Sequence, residues 1–163
     1  MKRHESLIPL SRDHHDGLVV AQGLILGRSK APRSNWPTNQ RQQVDRVLEF
    51  FRTDLRRHFQ AEEEHLFPVV AEKLRNGVAL ARQLREEHDD MRARIRELEQ
   101  DPATGLEERL PALGECLKAH IRKEEQVLFE RMQEDMDPDT LEAIGAGLRS
   151  VYSSDTNGPS CRT

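Results

Sequence analysis

One ten-residue pattern occurs twice and constrains the fold more than any other feature of the chain. The first copy reads His58-Phe59-Gln60-Ala61-Glu62-Glu63-Glu64-His65-Leu66-Phe67, and Pro68 follows it. The second reads His120-Ile121-Arg122-Lys123-Glu124-Glu125-Gln126-Val127-Leu128-Phe129. The copies agree at His, Glu, Glu, Leu and Phe with the same internal spacing. In each, a glutamate follows a histidine by four residues. On an α-helix that step is a net turn of roughly 40° and a rise of roughly 6 Å, so both side chains share one face. An imidazole and a carboxylate on one helix face, repeated, suggest a metal site built between helices.

The chain has 163 residues, enough for one domain with a sizeable core. Its charged share is 33% against 36% hydrophobic. Patterned apolar residues in so charged a chain point to long amphipathic helices rather than disorder. The net charge of −4, with both signs interspersed and no basic arm, argues against a nucleic-acid partner. No apolar run approaches the roughly 18–20 residues that span a bilayer. Leu7-Ile8-Pro9-Leu10 is too short for a signal-peptide core, so the expected location is the cytoplasm. Cys116 and Cys161 lie in unlike contexts, which speaks against a structural disulfide; Cys116 reads as a small buried thiol.

Helical periodicity predicts a first helix from Leu7 to about Arg28 with Ser11 as N-cap. Residues 29–37 read as a loop. Thr38 or Asn39 caps a second helix, whose stripe is Val44, Val47 or Leu48, Phe51, Leu55, His58, Glu62, His65 and Val69. Pro68 is expected to kink or end it, and Asn76-Gly77 to stop it. A third helix, about Val78 to Gln100, carries Leu84, His88, Met91, Ile95 and Leu98. A fourth starts between Leu106 and Pro111. Asp137-Pro138 opens a short fifth helix ending near Arg149. The expected fold is all-α: an up-down antiparallel four-helix bundle over residues 1–152 with a short C-terminal helix, then a disordered tail over 153–163.

Polar residues thus fall within buried stripes, where charge is costly unless paired or coordinated. The candidate ligands are His58 and Glu62, His88, His120 and Glu124, and one histidine of the first helix. His15 is preferred, because His15-Asp16-Gly17-Leu18 parallels His88-Asp89-Asp90-Met91. His14 is the second choice, since it continues the stripe of Leu7, Leu10, Leu18, Ala21 and Ile25. His65 is a further candidate as ligand, as a residue backing a ligand, or as core. Glu63 and Glu125 point about 100° further round and are expected outside the site. Four imidazoles and two carboxylates exceed the needs of one tetrahedral zinc. They suit two metals or one high-coordinate metal. Mixed nitrogen and oxygen ligation favours iron or manganese.

These residues resemble the hemerythrin-like, or HHE cation-binding, family over roughly residues 7 to 150. The resemblance rests on Asp13-His14-His15, His58-x-x-x-Glu62-Glu63-x-x-Leu66-Phe67-Pro68, Glu87-His88 and His120-x-x-x-Glu124-Glu125-x-x-Leu128-Phe129. It implies a four-helix bundle holding two iron ions, bridged by the two glutamates and an oxo or hydroxo group, with manganese or zinc as lesser alternatives. The implied partner is dioxygen or a related small molecule, and the implied roles are binding or sensing oxygen or iron. Iron storage and turnover of peroxide or nitric oxide are the alternatives. The chain departs from the family's oxygen carriers, which place two histidines one turn apart on the third helix. Here His88 is flanked by Leu84 and Arg92. Carriers also use an aspartate five residues after the fourth-helix histidine, where this chain has Glu124 at four.

Overall fold

The computed structural model describes residues 2–28 and 35–154, and no strand occurs among them. A 3-10 turn, Glu5–Leu7, leads into α1, Ile8–Leu26. The helix therefore starts before Ser11, with Pro9 in its first turn, where a missing N–H costs nothing. Ser11 is not the cap; its Oγ donates to Glu125 Oε1 at 2.7 Å. Most of the expected 29–37 loop lies outside the described residues. Asn39 caps α2, accepting from the N–H groups of Arg41 and Gln42.

Helix α2 covers residues 40–73 and changes type along its length. The α-helical stretches Gln40–Phe50, Arg56–Ala61 and Phe67–Lys73 are separated by π-helical turns at Phe51–Leu55 and Glu62–Leu66. Pro68 neither ends nor breaks this helix. It sits in the first turn of the segment after the second π turn, where its N–H is not required. Asn76 adopts a left-handed conformation, φ 56°, between α2 and α3. Helix α3 is Gly77–Gln100. A side chain at Gly77 would put its Cβ 1.9 Å from the carbonyl oxygen of Val70, so glycine is required where α3 crosses the end of α2.

Helix α4 covers residues 106–135, with a π turn at Glu124–Leu128 between Leu106–Lys123 and Phe129–Asp135. The π turns at Glu62–Leu66 and Glu124–Leu128 occupy equivalent positions of the sequence repeat. Helix α5 is Pro138–Ser154, longer than expected. Residues 155–163, the rest of the expected tail, lie outside the described residues. No helix among the described residues is long and apolar enough to cross a membrane.

The bundle interior holds two apolar clusters. One contains Leu7, Leu10, Leu66, Phe67, Leu84 and Leu128; the other contains Val20, Leu24, Phe59, Met91, Ile95 and Leu117. Helices α1 to α4 each pass from one cluster to the other near an inward histidine: His14, His58, His88 or His120. A polar layer therefore crosses the middle of an otherwise apolar core.

Candidate metal centre

Among the described residues eight polar or charged side chains are buried, and six form that layer: His14, His58, Glu62, His88, His120 and Glu124. Their ligating atoms fall into two sets, each within 4.8 Å of one another. One set is His14, His58, Glu62 and Glu124; the other is His88, His120, Glu62 and Glu124. Both glutamates belong to both sets. Glu62 turns Oε1 toward His58 Nε2 at 3.1 Å and Oε2 toward His88 Nε2 at 3.3 Å. Glu124 Oε2 lies 3.0 Å from His14 Nε2 and 3.3 Å from His120 Nε2.

The first-helix preference for His15 is corrected. His14 is 2% exposed and inside the layer, whereas His15 faces solvent. The apolar stripe is the better guide, because helix phase decides which of two neighbours is buried. His65 is not in the layer either. It lies seven residues after His58, but the intervening π turn rotates the chain less per residue than an α-helix and so leaves it off the shared face. Its ring packs instead against α5, where a Cβ on Gly147 would come within 2.6 Å of Nδ1.

Each inward imidazole is held from behind by a carboxylate. His14 Nδ1 donates to Glu125 Oε1 at 2.7 Å and His58 Nδ1 to Asp13 Oδ2 at 3.1 Å. His88 Nδ1 donates to Glu63 Oε1 at 2.8 Å and His120 Nδ1 to Glu87 Oε2 at 2.8 Å. The pairs form a closed ring: α1 backs α2, α2 backs α3, α3 backs α4 and α4 backs α1. Glu63 and Glu125, expected outside the site, are therefore its supports. Asp13, Glu63, Glu87 and Glu125 were findable as the acids beside the inward residues, but which imidazole each would meet depends on helix packing. Three of these acids are anchored in turn by cations. Arg3 holds Glu125 at 2.8 Å, Arg92 holds Glu63 at 2.8 Å, and Lys123 contacts Glu87. Phe59 stacks on His88 with ring centroids 3.8 Å apart, and Phe129 stacks on His14 at 5.5 Å.

This arrangement fixes the tautomer. A carboxylate can only accept, so each Nδ1 carries a hydrogen, and a ring in its neutral form turns a lone pair inward at Nε2. Two such nitrogens face each other at 3.1 Å in the His14–His58 pair and at 3.0 Å in the His88–His120 pair. Both oxygens of Glu62 and of Glu124 are buried without a hydrogen-bond partner. Converging lone pairs and anionic oxygens repel unless positive charge lies among them. The electrostatics report the same demand. Burial alone would push His58 and His120 down, but Glu62 and Glu124 respectively override it and hold both up at about 10. Glu124 is fully buried, yet His120 and His14 keep it well below the usual carboxylate range. The donor set thus fits metal cations: imidazole nitrogens, bridging carboxylates and oriented rings.

An all-α bundle with a buried His/Glu centre between its helices defines a metal-binding helical protein. The model of the hemerythrin HHE cation-binding domain matches residues 6–132. The chain belongs to that family, which implies a metal cation site with His/Glu ligands, and its buried His/Glu cluster has donors that could hold one. No curated protein and no solved structure matches the chain.

Proposed function

We propose that this protein holds two iron ions, one in each donor set, and uses them to bind or sense dioxygen or a related small molecule. The observation that carries this reading is the sharing of Glu62 and Glu124 between two otherwise separate histidine pairs. A single tetrahedral zinc needs four donors and no sharing. Nitrogen and carboxylate donors without thiolate suit iron first and manganese second. Two imidazoles and two carboxylates per set are also fewer than six donors, which leaves coordination for a small ligand.

Iron, when bound, supplies the redox chemistry and the affinity for dioxygen or nitric oxide. The chain's own groups do the rest. Leu10, Leu66, Phe59 and Phe129 exclude bulk water around the layer, and the four backing carboxylates keep each Nε2 aimed inward. His120, Glu87 and Cys116 line a groove of about 430 Å³ between α3 and α4. That groove supports a route for a small molecule to the His88–His120 side, and it favours turnover of peroxide or nitric oxide as the second reading.

Elemental analysis of purified protein, with visible spectra taken with and without oxygen, tests the proposal. Two irons per chain and an oxygen-dependent band support it; one zinc per chain or no metal overturns it. Catalytic consumption of peroxide or nitric oxide, rather than a stoichiometric spectral change, decides for the second reading.

A further inference from the structure

The two donor sets are built alike but are not anchored alike. Glu125, Glu63 and Glu87 are each gripped by a side-chain cation, as described above. Asp13 feels the charge of Arg57 and also accepts a short hydrogen bond from a phenol: Tyr152 Oη donates to Asp13 Oδ2 at 2.5 Å. The same oxygen accepts from His58 Nδ1 at 3.1 Å. Tyr152 therefore stands two bonds away from the donor set, in line behind His58. Its ring lies beneath the guanidinium of Arg57, 4.9 Å from the centroid.

Tyr152 belongs to α5, beyond the residues matched by the family model. Helix α5 is seated closely enough to deliver it. Leu141, Ile144, Leu148 and Val151 are buried in the cluster that includes Leu10 and Phe67. Gly145 and Gly147 let the backbone approach Ser6 and His65, where a Cβ would fall 2.6 Å from a side-chain atom in each case. The phenol is thus placed by packing of a whole helix and not by a loop.

We propose that Tyr152 is a positioning residue: by fixing Asp13 Oδ2 it orients His58 and makes the His14/His58 donor set differ from the His88/His120 set. This rests on the two-metal reading for its consequence, though not for its geometry. A hydroxyl and an imidazole also share one oxygen at Glu125, where Ser11 Oγ and His14 Nδ1 both meet Oε1 at 2.7 Å, but there Arg3 grips the same carboxylate. The Asp13–His58 bond, at 3.1 Å, is longer than the other three, which run from 2.7 to 2.8 Å. A less basic backing group makes a less basic imidazole, so the two sets should bind a metal with unequal strength.

The test uses the full chain, wild type and Tyr152→Phe, in two measurements. In metal-free protein, the imidazole N–H signals are recorded by NMR. The expected result is a shift at His58 with His88 and His120 unmoved. An unmoved His58, or equal movement of all the imidazoles, overturns the proposal. Leu148→Ala loosens α5 while keeping the phenol, and it should leave the His58 signal near its wild-type position. If it reproduces the Tyr152→Phe pattern, the role is general packing and the proposal falls. In the second measurement, metal-free protein is titrated with Co²⁺. One of two binding steps should change by about tenfold in the variant while the other holds. Equal change in both steps counts against Tyr152. Failure of the wild type to take up Co²⁺ overturns the two-metal reading alone, because the His58 signal still decides the positioning role.

Discussion

Glu63 Oε1 accepts from His88 Nδ1 at 2.8 Å, although Glu63 sits on α2 beside a residue of the donor set and His88 on α3. The adjacent Glu62 faces the interior and Glu63 faces the neighbouring helix, so one helical turn both offers a ligand and steadies another helix's ligand. Glu125 does the same for His14 from the equivalent position of the repeat. Removal of a carboxylate that backs a ligating histidine typically weakens metal binding by about 10–100-fold. Glu63→Ala should therefore weaken one of two metal-binding steps by about that factor without abolishing metal content at saturating metal. Calorimetric titration of the metal-free variant checks it.

Replacement of the two first-helix histidines should separate them cleanly. His14→Ala removes a buried nitrogen that lies 3.0 Å from Glu124 Oε2 and should cut bound metal from two equivalents to about one. His15→Ala changes an exposed side chain and should leave metal content and thermal stability within about 0.5 kcal/mol of wild type. Metal analysis after dialysis, with thermal unfolding alongside, reads both.

The metal-free protein should lose stability as pH rises above neutrality. His58 and His120 are held up at about 10 in the folded chain, against about 6.5 when unfolded. A raised histidine contributes stability that is fully present below about 6.5 and is lost as pH climbs through the folded value. Glu63, lowered to about 2 from 4.5, gives the opposite slope at the acid end, losing its contribution as pH falls below 4.5. Melting of chelator-treated protein should thus be highest near pH 5–6 and lower by about 5 °C or more at pH 9. Metal uptake should release protons at neutral pH, measurable as a buffer-dependent enthalpy.

Gly77→Ala should destabilise the bundle without touching the centre. The added Cβ would lie 1.9 Å from the Val70 carbonyl oxygen, so α3 must move off the end of α2. A cost of about 3 kcal/mol is expected, near the top of the range for single substitutions. Denaturant unfolding reads the loss, and metal stoichiometry should stay at the wild-type value.

Local sequence determined the helices and most of the centre. The stripe Leu84, His88, Met91, Ile95 and Leu98 is buried as its spacing requires, because a helix has one period and one inward face. The His-x-x-x-Glu repeat placed His58, Glu62, His120 and Glu124 together for the same reason. Only the tertiary structure decided the phase at the points where the period breaks. The π turn at Glu62–Leu66 swung His65 out, and the seating of α1 chose His14 over its neighbour. Only helix packing decided which carboxylate backs which imidazole, since Asp13 and His58 are far apart in the chain and meet across a helix interface. Tyr152 on Asp13 is the extreme case. No local pattern links a residue near the end of the chain to one near its start, and the contact exists because α5 docks on the finished bundle.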